Sequence, residues 1–113
     1  MNEYKKNSIL IIGGGLIGLS LAYEFARKGY AVEVLSRNRS ESAGFVAAGM
    51  LAAHAEGLEN ELLNFGQYSQ SIIPEWIHNI QTDSGIDCGL KKCGIIVPFE
   101  NIEDLNKFPT LQN

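Results

Sequence analysis

The chain is poor in the residues that mark several classes of protein. Its 113 residues include only two cysteines, three prolines and one tryptophan. The two cysteines, Cys88 and Cys93, are too few for a zinc site, and no histidine lies near them at ligand spacing. A disulfide is not expected in a reducing compartment. We therefore predict no metal site and treat both cysteines as ordinary strand residues.

Basic clusters and long apolar runs are also missing. The formal net charge is -4 without a basic tail or stripe, which argues against binding nucleic acid through its phosphates. No apolar run reaches the roughly 18 residues that a membrane-spanning helix needs. Three consecutive glycines interrupt the apolar run that follows Lys5 and Lys6, so we reject a secretory signal. We expect a cytosolic protein with no nucleic-acid or membrane partner.

What the sequence does contain is a strand followed at once by a glycine turn. Ile9–Ile12 is an apolar, β-branched run of the kind that is buried on both faces of a sheet. Gly13, Gly15 and Gly18 follow at G-x-G-x-x-G spacing. In a dinucleotide-binding unit these glycines permit a sharp turn, close approach of a pyrophosphate and tight packing of the next helix. The unpaired N–H groups and dipole of that helix attract phosphate without a basic side chain.

The segments after the glycines complete a βαβ unit. Leu16–Lys28 has the apolar spacing of an amphipathic helix. Gly29 follows it at the position of a left-handed cap, and Ala31–Leu35 alternates like a second strand. A strand, turn, helix and strand within about thirty residues are typical of this unit. We predict an α/β fold with a Rossmann-like core that binds a dinucleotide.

The residues after the second strand concern the choice of nucleotide. Many dinucleotide-binding folds have Asp or Glu here to bind the ribose, whereas this chain has Ser36 followed by Arg37. A serine hydroxyl also binds a ribose hydroxyl, although more weakly than a carboxylate. Arg37 is suited either to a 2′-phosphate, as in NADP-binding proteins, or to stacking over the adenine. The residues alone leave both roles open.

A run of small residues extends from Ala43 to Glu56. So many small side chains indicate backbone close to a flat ligand or to another backbone, with a packed alanine-rich helix as the alternative. Gly44 and Gly49 make a long helix across this run unfavourable. His54 and Glu56 have the spacing of an acid–base pair, but hydrogen-bonded supports in a loop are the more common use of such residues. We therefore assign no catalytic residue.

The second half of the chain has a helical pattern followed by short strands. Apolar residues recur at helical spacing from Leu58 to Ile80, and Pro74 predicts a kink or two abutting helices. Gly85 then ends the helical segment. Short strands are predicted around residues 86–90 and 94–99.

We accordingly predict two parts. Residues 1–85 form the nucleotide-binding part with its long helical segment. Residues 86–113 form a second part that begins with the two short strands.

Two segments taken together resemble a known family. Gly13–Gly18 and Ala47–Leu51, followed by His54–Glu56, are similar to the start of D-amino-acid-oxidase-type FAD-dependent oxidoreductases. Within that family the glycine oxidases of thiamine biosynthesis are the most similar group. The glycine motif is shared by many folds, whereas the Ala-Ala-Gly-Met-Leu segment is much more specific. The resemblance implies that the chain corresponds to the N-terminal portion of such an enzyme. Its FAD-binding core would then be incomplete, and residues 86–113 would form the start of a second, substrate-side sheet.

The resemblance also implies a reaction, partners and a cofactor site. In that family FAD accepts a hydride from the α-carbon of an amino acid, oxygen reoxidises the flavin to give hydrogen peroxide, and the imine hydrolyses to an oxo acid. The implied partners are glycine or a similar amino acid and oxygen, and a homo-oligomer is left open. The family's substrate-binding arginine and active-site tyrosine correspond to no residue here. The residues implied to bind FAD are Gly13, Gly15, Leu16, Ile17 and Gly18 at the pyrophosphate, Ser36 and Arg37 at the adenosine, and Ala43, Gly44, Ala48, Gly49 and Met50 beside the flavin.

Two other functions stay open at this point. Arg37 is compatible with an NADP-linked reductase, and the core is compatible with a non-catalytic module of a truncated or split oxidase. We expect residues 1–113 alone to bind FAD poorly and not to turn over. The reason is that only part of the pocket is present and unpaired strand edges favour association.

Overall fold

The structure is a computed structural model that describes residues 7–107 of the chain. The chain divides after Gly49 into two compact units. The first unit contains β1 (Ser8–Ile12), α1 (Leu16–Arg27), β2 (Ala31–Leu35) and 3-10 turns at Arg39–Glu41 and Ala43–Phe45. The second unit contains α2 (Asn60–Ser84) and a 3-10 turn at Ile102–Lys107. The predicted assignment of residues 1–85 and 86–113 to two domains stays a prediction.

The first unit is a βαβ unit, as predicted. β1 and β2 pair in parallel, with Ser8 opposite Ala31 and Ile12 opposite Leu35. Parallel neighbours need a crossover connection, which α1 supplies. The positive φ of 82° at Gly29 lets the chain leave α1 in the predicted left-handed conformation. The predicted α/β class with an incomplete Rossmann-like core is confirmed.

The two faces of this sheet differ in their exposure. Ile11 is half-buried on the face toward α1, where its Cγ2 atom lies 3.4 Å from the position that a Cβ at Gly18 would occupy. On the other face Leu10, Ile12 and Leu35 are exposed. The expected burial of β1 on both faces is therefore met in part on one face and not on the other, because α1 is the only described α-helix of this unit.

The helix of the second unit is continuous at Pro74, where the sequence predicted a kink or two abutting helices. α2 runs through Pro74 without a break, so the alternative of two abutting helices is wrong. A proline removes one backbone hydrogen bond of a helix, and the bonds on either side hold the remaining turns. α2 ends as predicted at Gly85, whose φ is 70° and whose N–H donates to the Gln81 carbonyl at 2.8 Å.

The small residues before α2 pack against this helix. Ala53 is the most buried described residue, with 8% of its surface exposed. A Cβ added at Gly66 would lie 3.0 Å from the Ala53 Cβ and 3.2 Å from the Leu58 Cδ1. The side-chain amide of Gln70 donates to the Leu51 carbonyl at 2.9 Å. Residues 51–58 are therefore a loop that packs on α2, and the alternative of an alanine-rich helix across the small-residue run is wrong.

This contact gives a first prediction. Gly66→Val in the full natural protein is expected to lower its free energy of unfolding by about 2 kcal/mol, because the added methyl groups overpack the contact with Ala53. The measurement is urea unfolding, with hydrogen exchange of the α2 amides. Ser71→Val, at an exposed position of the same helix, introduces the same side chain and should have little effect. Equal losses in the two variants would show that Gly66 makes no special contact.

The two short strands predicted after α2 are absent. Residues 85–99 contain no strand in the structure. Gly89 and Gly94 have φ values of 69° and 72°, which interrupt an extended backbone within or at the start of each predicted strand. No described segment pairs with them to accept their backbone hydrogen bonds. The assignment of this segment to the start of a substrate-side sheet stays a prediction.

Candidate functional site

The corner between β1 and α1 begins with a turn at Gly13. Gly13 has a φ of 115°, a conformation that residues with a side chain rarely adopt. Its N–H donates to the Leu35 carbonyl at 2.8 Å, so the turn is joined to the end of β2. The predicted role of Gly13 in a sharp turn is confirmed.

Gly18 brings α1 against this turn. A Cβ at Gly18 would lie 1.9 Å from the Gly13 carbonyl oxygen and 3.1 Å from the Gly13 carbonyl carbon. No side chain fits at this distance from main-chain atoms. The tight packing predicted for Gly18 is confirmed, and it fixes where the first turn of α1 begins.

Gly15 differs from both of its neighbours in the motif, because the protein itself does not require a glycine there. Gly15 is the N-cap of α1, with φ -79° and ψ -176°, an extended conformation open to any residue. A Cβ added to it would meet only the Ser42 Cβ, at an ordinary 3.8 Å. Neither backbone strain nor packing explains the missing side chain. The space beside Gly15 is therefore free for a ligand.

The start of α1 has the electrostatic character of an anion site. The first intrahelical bond joins the Leu19 N–H to the Gly15 carbonyl at 3.0 Å, so the N–H groups before Leu19 have no partner within the helix. Gly15 has no side chain to cap them, and the first turn contains no acidic residue. The helix dipole adds positive potential at the same place. This arrangement favours a phosphate group.

A pocket of about 240 Å³ lies at this corner. It is bounded on one side by the glycine turn and α1, and on the other by the loop that follows β2. The loop is shaped by its own hydrogen bonds, since the Asn38 Oδ1 accepts from the Ser40 N–H at 3.1 Å and from the Ser40 hydroxyl at 3.0 Å. The lining residues are Gly14, Gly15, Leu16, Leu19, Arg39, Ser42, Gly44 and Phe45.

Three of the twelve residues implied by the family resemblance line this pocket, namely Gly15, Leu16 and Gly44. Gly13 and Gly18 determine the geometry of the corner but do not line the pocket. Ile17, on the same helix turn, is 79% exposed outside the lining. The remaining six, which likewise do not line it, are Ser36, Arg37, Ala43, Ala48, Gly49 and Met50.

Ser36 nevertheless lies at the glycine corner. Its Oγ and Cβ are 2.7 Å and 2.8 Å from the position that a Cβ at Gly14 would occupy. The Ser36 side chain therefore packs directly on Gly14, which is a lining residue of the pocket. This contact explains the middle glycine of the three and places a hydroxyl at the end of β2.

Arg37 is held by a carboxylate of its own loop. Its Nε donates to Glu41 Oε2 at 3.0 Å, and its terminal nitrogen forms an ion pair with the same oxygen. A 2′-phosphate would have to compete with Glu41 for this guanidinium. The arrangement is less suited to NADP than the sequence alone indicates.

Five of the lining residues were not identified from the sequence: Gly14, Leu19, Arg39, Ser42 and Phe45. A short sequence pattern within the loop itself could have indicated that the loop residues lie at the corner. Asn followed two residues later by Ser is typical of a side-chain-capped turn, and such a turn folds the chain back toward the corner. The signal for Leu19 was its position one helical turn after Gly15.

His54 has a supporting contact in the second unit. Its Nε2 lies 3.3 Å from the Gln67 Nε2, and its buried Nδ1 has no hydrogen-bond partner among the described residues. The contact joins the small-residue loop to α2. It agrees with the interpretation of His54 as a support.

Metal and membrane sites have no counterpart in residues 7–107. Cys88 and Cys93 are free and exposed. No group of three or more potential metal ligands occurs in this part of the chain. Neither of its α-helices combines the length and apolar character that crossing a membrane requires. The cytosolic location stays a prediction.

The corner fits the diphosphate of a dinucleotide by its own geometry. The uncapped amides and the room beside Gly15 are the features that such a group needs. Residues 8–113 match the protein family described as DAO, FAD dependent oxidoreductase. The chain belongs to this family of FAD-dependent oxidoreductases. The predicted family is confirmed, and a DAO-family chain implies a flavin cofactor.

Several curated proteins are similar over most of the chain. The bifunctional protein ThiO/ThiG of Trichormus variabilis is 41% identical over 91 residues, which cover 80% of this chain and 14% of that protein. The protein of the same name from Synechocystis sp. is 39% identical over 95 residues, covering 81% and 14%. The glycine oxidase of Geobacillus kaustophilus is 31% identical over 90 residues, covering 78% and 24%. The chain thus spans between 14% and 24% of the length of these relatives. No solved structure is a significant match.

Proposed function

We propose that this chain supplies the dinucleotide-binding corner of an FAD-dependent amino-acid oxidase of the glycine oxidase type. The observation that carries the proposal is the open corner at Gly15, where neither the backbone nor the packing of the chain requires a glycine. The similarity to a glycine oxidase and to ThiO/ThiG proteins supports the choice of reaction. A role in forming the thiazole of thiamine is part of the same proposal.

The chain's residues have distinct tasks in this proposal. The amides of Gly15 and Leu16 bind the diphosphate, and Gly13 and Gly18 hold those amides in position. Ser36 binds the adenosine ribose in this proposal, which its packing on Gly14 at the end of β2 supports. Arg37 contributes to the adenosine end in its pair with Glu41.

The flavin end is assigned to the small-residue segment. Gly44 lies against α1, since a Cβ on it would be 3.6 Å from the Leu16 Cβ. Ala43 and Gly44 form a 3-10 turn at the corner, and Ala48, Gly49 and Met50 continue the segment. Small side chains leave main-chain N–H and C=O groups available to a flat ring system. When bound, FAD supplies the hydride acceptor for the amino acid and the site that oxygen reoxidises, with release of hydrogen peroxide.

The test of this function uses the full natural protein. We expect it to be purified yellow, with the visible absorbance of oxidised flavin, and to produce hydrogen peroxide when glycine is added. Release of the nucleotide by denaturation and its chromatography identify it as FAD. A bound nicotinamide nucleotide in place of flavin would favour the NADP-linked reductase. A protein that binds no nucleotide would favour a non-catalytic module.

The behaviour of residues 1–113 alone is a separate expectation. We expect weak FAD binding and no turnover, because the described sheet has two strands and leaves Ile12 81% exposed on its open face. The measurement is peroxide production from glycine by the isolated chain with added FAD. Any turnover above the rate of free FAD would contradict this expectation.

A further inference from the structure

The loop after β2 contains two arginines in different situations. The guanidinium of Arg37 is bound to the Glu41 carboxylate. Arg39 forms no ion pair with any described residue, and it contributes to the wall of the pocket beside Gly15 and Leu16. Arg39, the loop arginine without an ion pair to a described residue, therefore lies at the pocket. Arg37, which Glu41 neutralises, lies outside the pocket lining.

The backbone of Arg39 is held in place on both sides. Before it, Asn38 caps the 3-10 turn through its Oδ1, which accepts from the Ser40 N–H at 3.1 Å. After it, the Arg39 carbonyl accepts from the Ser42 N–H at 3.2 Å and from the Ser42 hydroxyl at 2.9 Å. These bonds fix the point from which the arginine side chain leaves the main chain. Arg39 is thus positioned at the pocket by the loop itself.

The charges around the pocket favour an anion as the partner of Arg39. The lining contains no carboxylate, and the first turn of α1 contains no acidic residue. Both the helix dipole and the guanidinium make this region positive, and an anion is the ligand that satisfies both. The chemical group that the corner accepts under the proposed function is a diphosphate.

We propose that Arg39 binds the diphosphate of the dinucleotide and is the residue that makes this site selective for phosphorylated ligands. The proposal rests on the proposed function and adds to it a basic side chain that the glycine motif does not need. Arg37 has a different task, since Glu41 already neutralises it. The ligand class is a dinucleotide with an adenosine diphosphate end.

The test compares ADP with adenosine, which lacks the phosphates. In the full natural protein freed of FAD, Arg39→Gln is expected to weaken ADP binding by about tenfold, as for loss of a charged hydrogen bond. Adenosine binding should stay unchanged. Added salt should weaken ADP binding less in this variant than in the wild type, because one screened charge is gone. Calorimetric titration measures both ligands without turnover.

Three variants serve as controls. Arg39→Lys keeps the charge and should recover most of the ADP affinity. Arg27→Gln makes the same chemical change in the last turn of α1, and should leave both affinities unchanged. Arg37→Gln should leave the ratio of ADP to adenosine affinity unchanged, because Arg37 is proposed to act at the adenosine, which both ligands contain, in its pair with Glu41.

Two outcomes would overturn the proposal while leaving the proposed function standing. One is an Arg39→Gln protein that binds ADP as tightly as the wild type. The other is an equal loss for ADP and adenosine, which would mean that the variant disturbs the loop and that its charge does not reach the phosphates. A natural protein that binds neither FAD nor ADP would instead overturn the proposed function, and this inference with it.

Discussion

Gly18→Ala in the full natural protein is expected to lower its free energy of unfolding by about 3–5 kcal/mol. The added Cβ would lie 1.9 Å from the Gly13 carbonyl oxygen. That oxygen belongs to the main chain, so it cannot rotate away as the end of a flexible side chain can. Relief requires α1 or the turn to move, and the turn is bound to Leu35 through the Gly13 N–H. Such a loss is a large part of the roughly 5–15 kcal/mol that holds a typical protein folded.

The matched control for this variant is Gly15→Ala, in the same loop. A Cβ at Gly15 would meet only the Ser42 Cβ, at 3.8 Å, and its φ of -79° suits alanine. Its cost to the apoprotein should stay below about 1 kcal/mol, the usual effect of an N-cap change. Urea unfolding of the two apoproteins gives the comparison. Equal unfolding midpoints for the two variants would show that α1 does not pack on the turn in the way described.

The second large effect is expected on the cofactor, with the fold retained. Gly15→Val should lower the affinity of the full natural protein for FAD by about 100-fold, which corresponds to about 2.7 kcal/mol. The two added methyl groups occupy the free space beside the first-turn amides of α1, where the diphosphate is proposed to bind. The extended backbone of Gly15, with ψ of -176°, accommodates a β-branched side chain. The apoprotein should therefore stay folded.

A smaller substitution at the same position extends this experiment, and two outcomes would contradict the prediction. Gly15→Ala fills less of the same space, so its effect on FAD affinity should lie between those of glycine and valine. FAD content after purification and titration of the apoprotein with FAD are the two measurements. An unchanged affinity in Gly15→Val would mean that the diphosphate binds elsewhere. Loss of folding in the apoprotein would mean that Gly15 has a structural role.

The contrast between these glycines shows how far the motif could be interpreted before the structure. The spacing of Gly13, Gly15 and Gly18 predicted one turn, one ligand contact and one packing contact. The structure gives Gly13 its positive φ and Gly18 its short distance to main-chain atoms. It leaves Gly15 unconstrained, as a ligand position requires. The predictions for the turn and the packing held because these glycines act within one short, contiguous segment, and the ligand contact at Gly15 stays a prediction.

Predictions that depended on neighbouring segments fared less well. The strands expected at 86–90 and 94–99 are absent, since a strand needs a partner and no described segment supplies one. Pro74 predicted a kink or two abutting helices, and the second alternative is wrong because hydrogen bonds on both sides of the proline continue α2. Local propensity is a weak guide wherever distant parts of the chain complete an element.

The sequence by itself determined the βαβ unit and its glycine corner, because strand, turn and helix propensities act over contiguous residues and need no distant partner. Tertiary structure decided which side chains meet at that corner. Ser36 packs on Gly14, and Arg39 reaches the pocket while Arg37 is bound by Glu41. These outcomes depend on distances between residues about twenty or more positions apart, or on competition between two identical side chains. A one-dimensional pattern contains neither quantity.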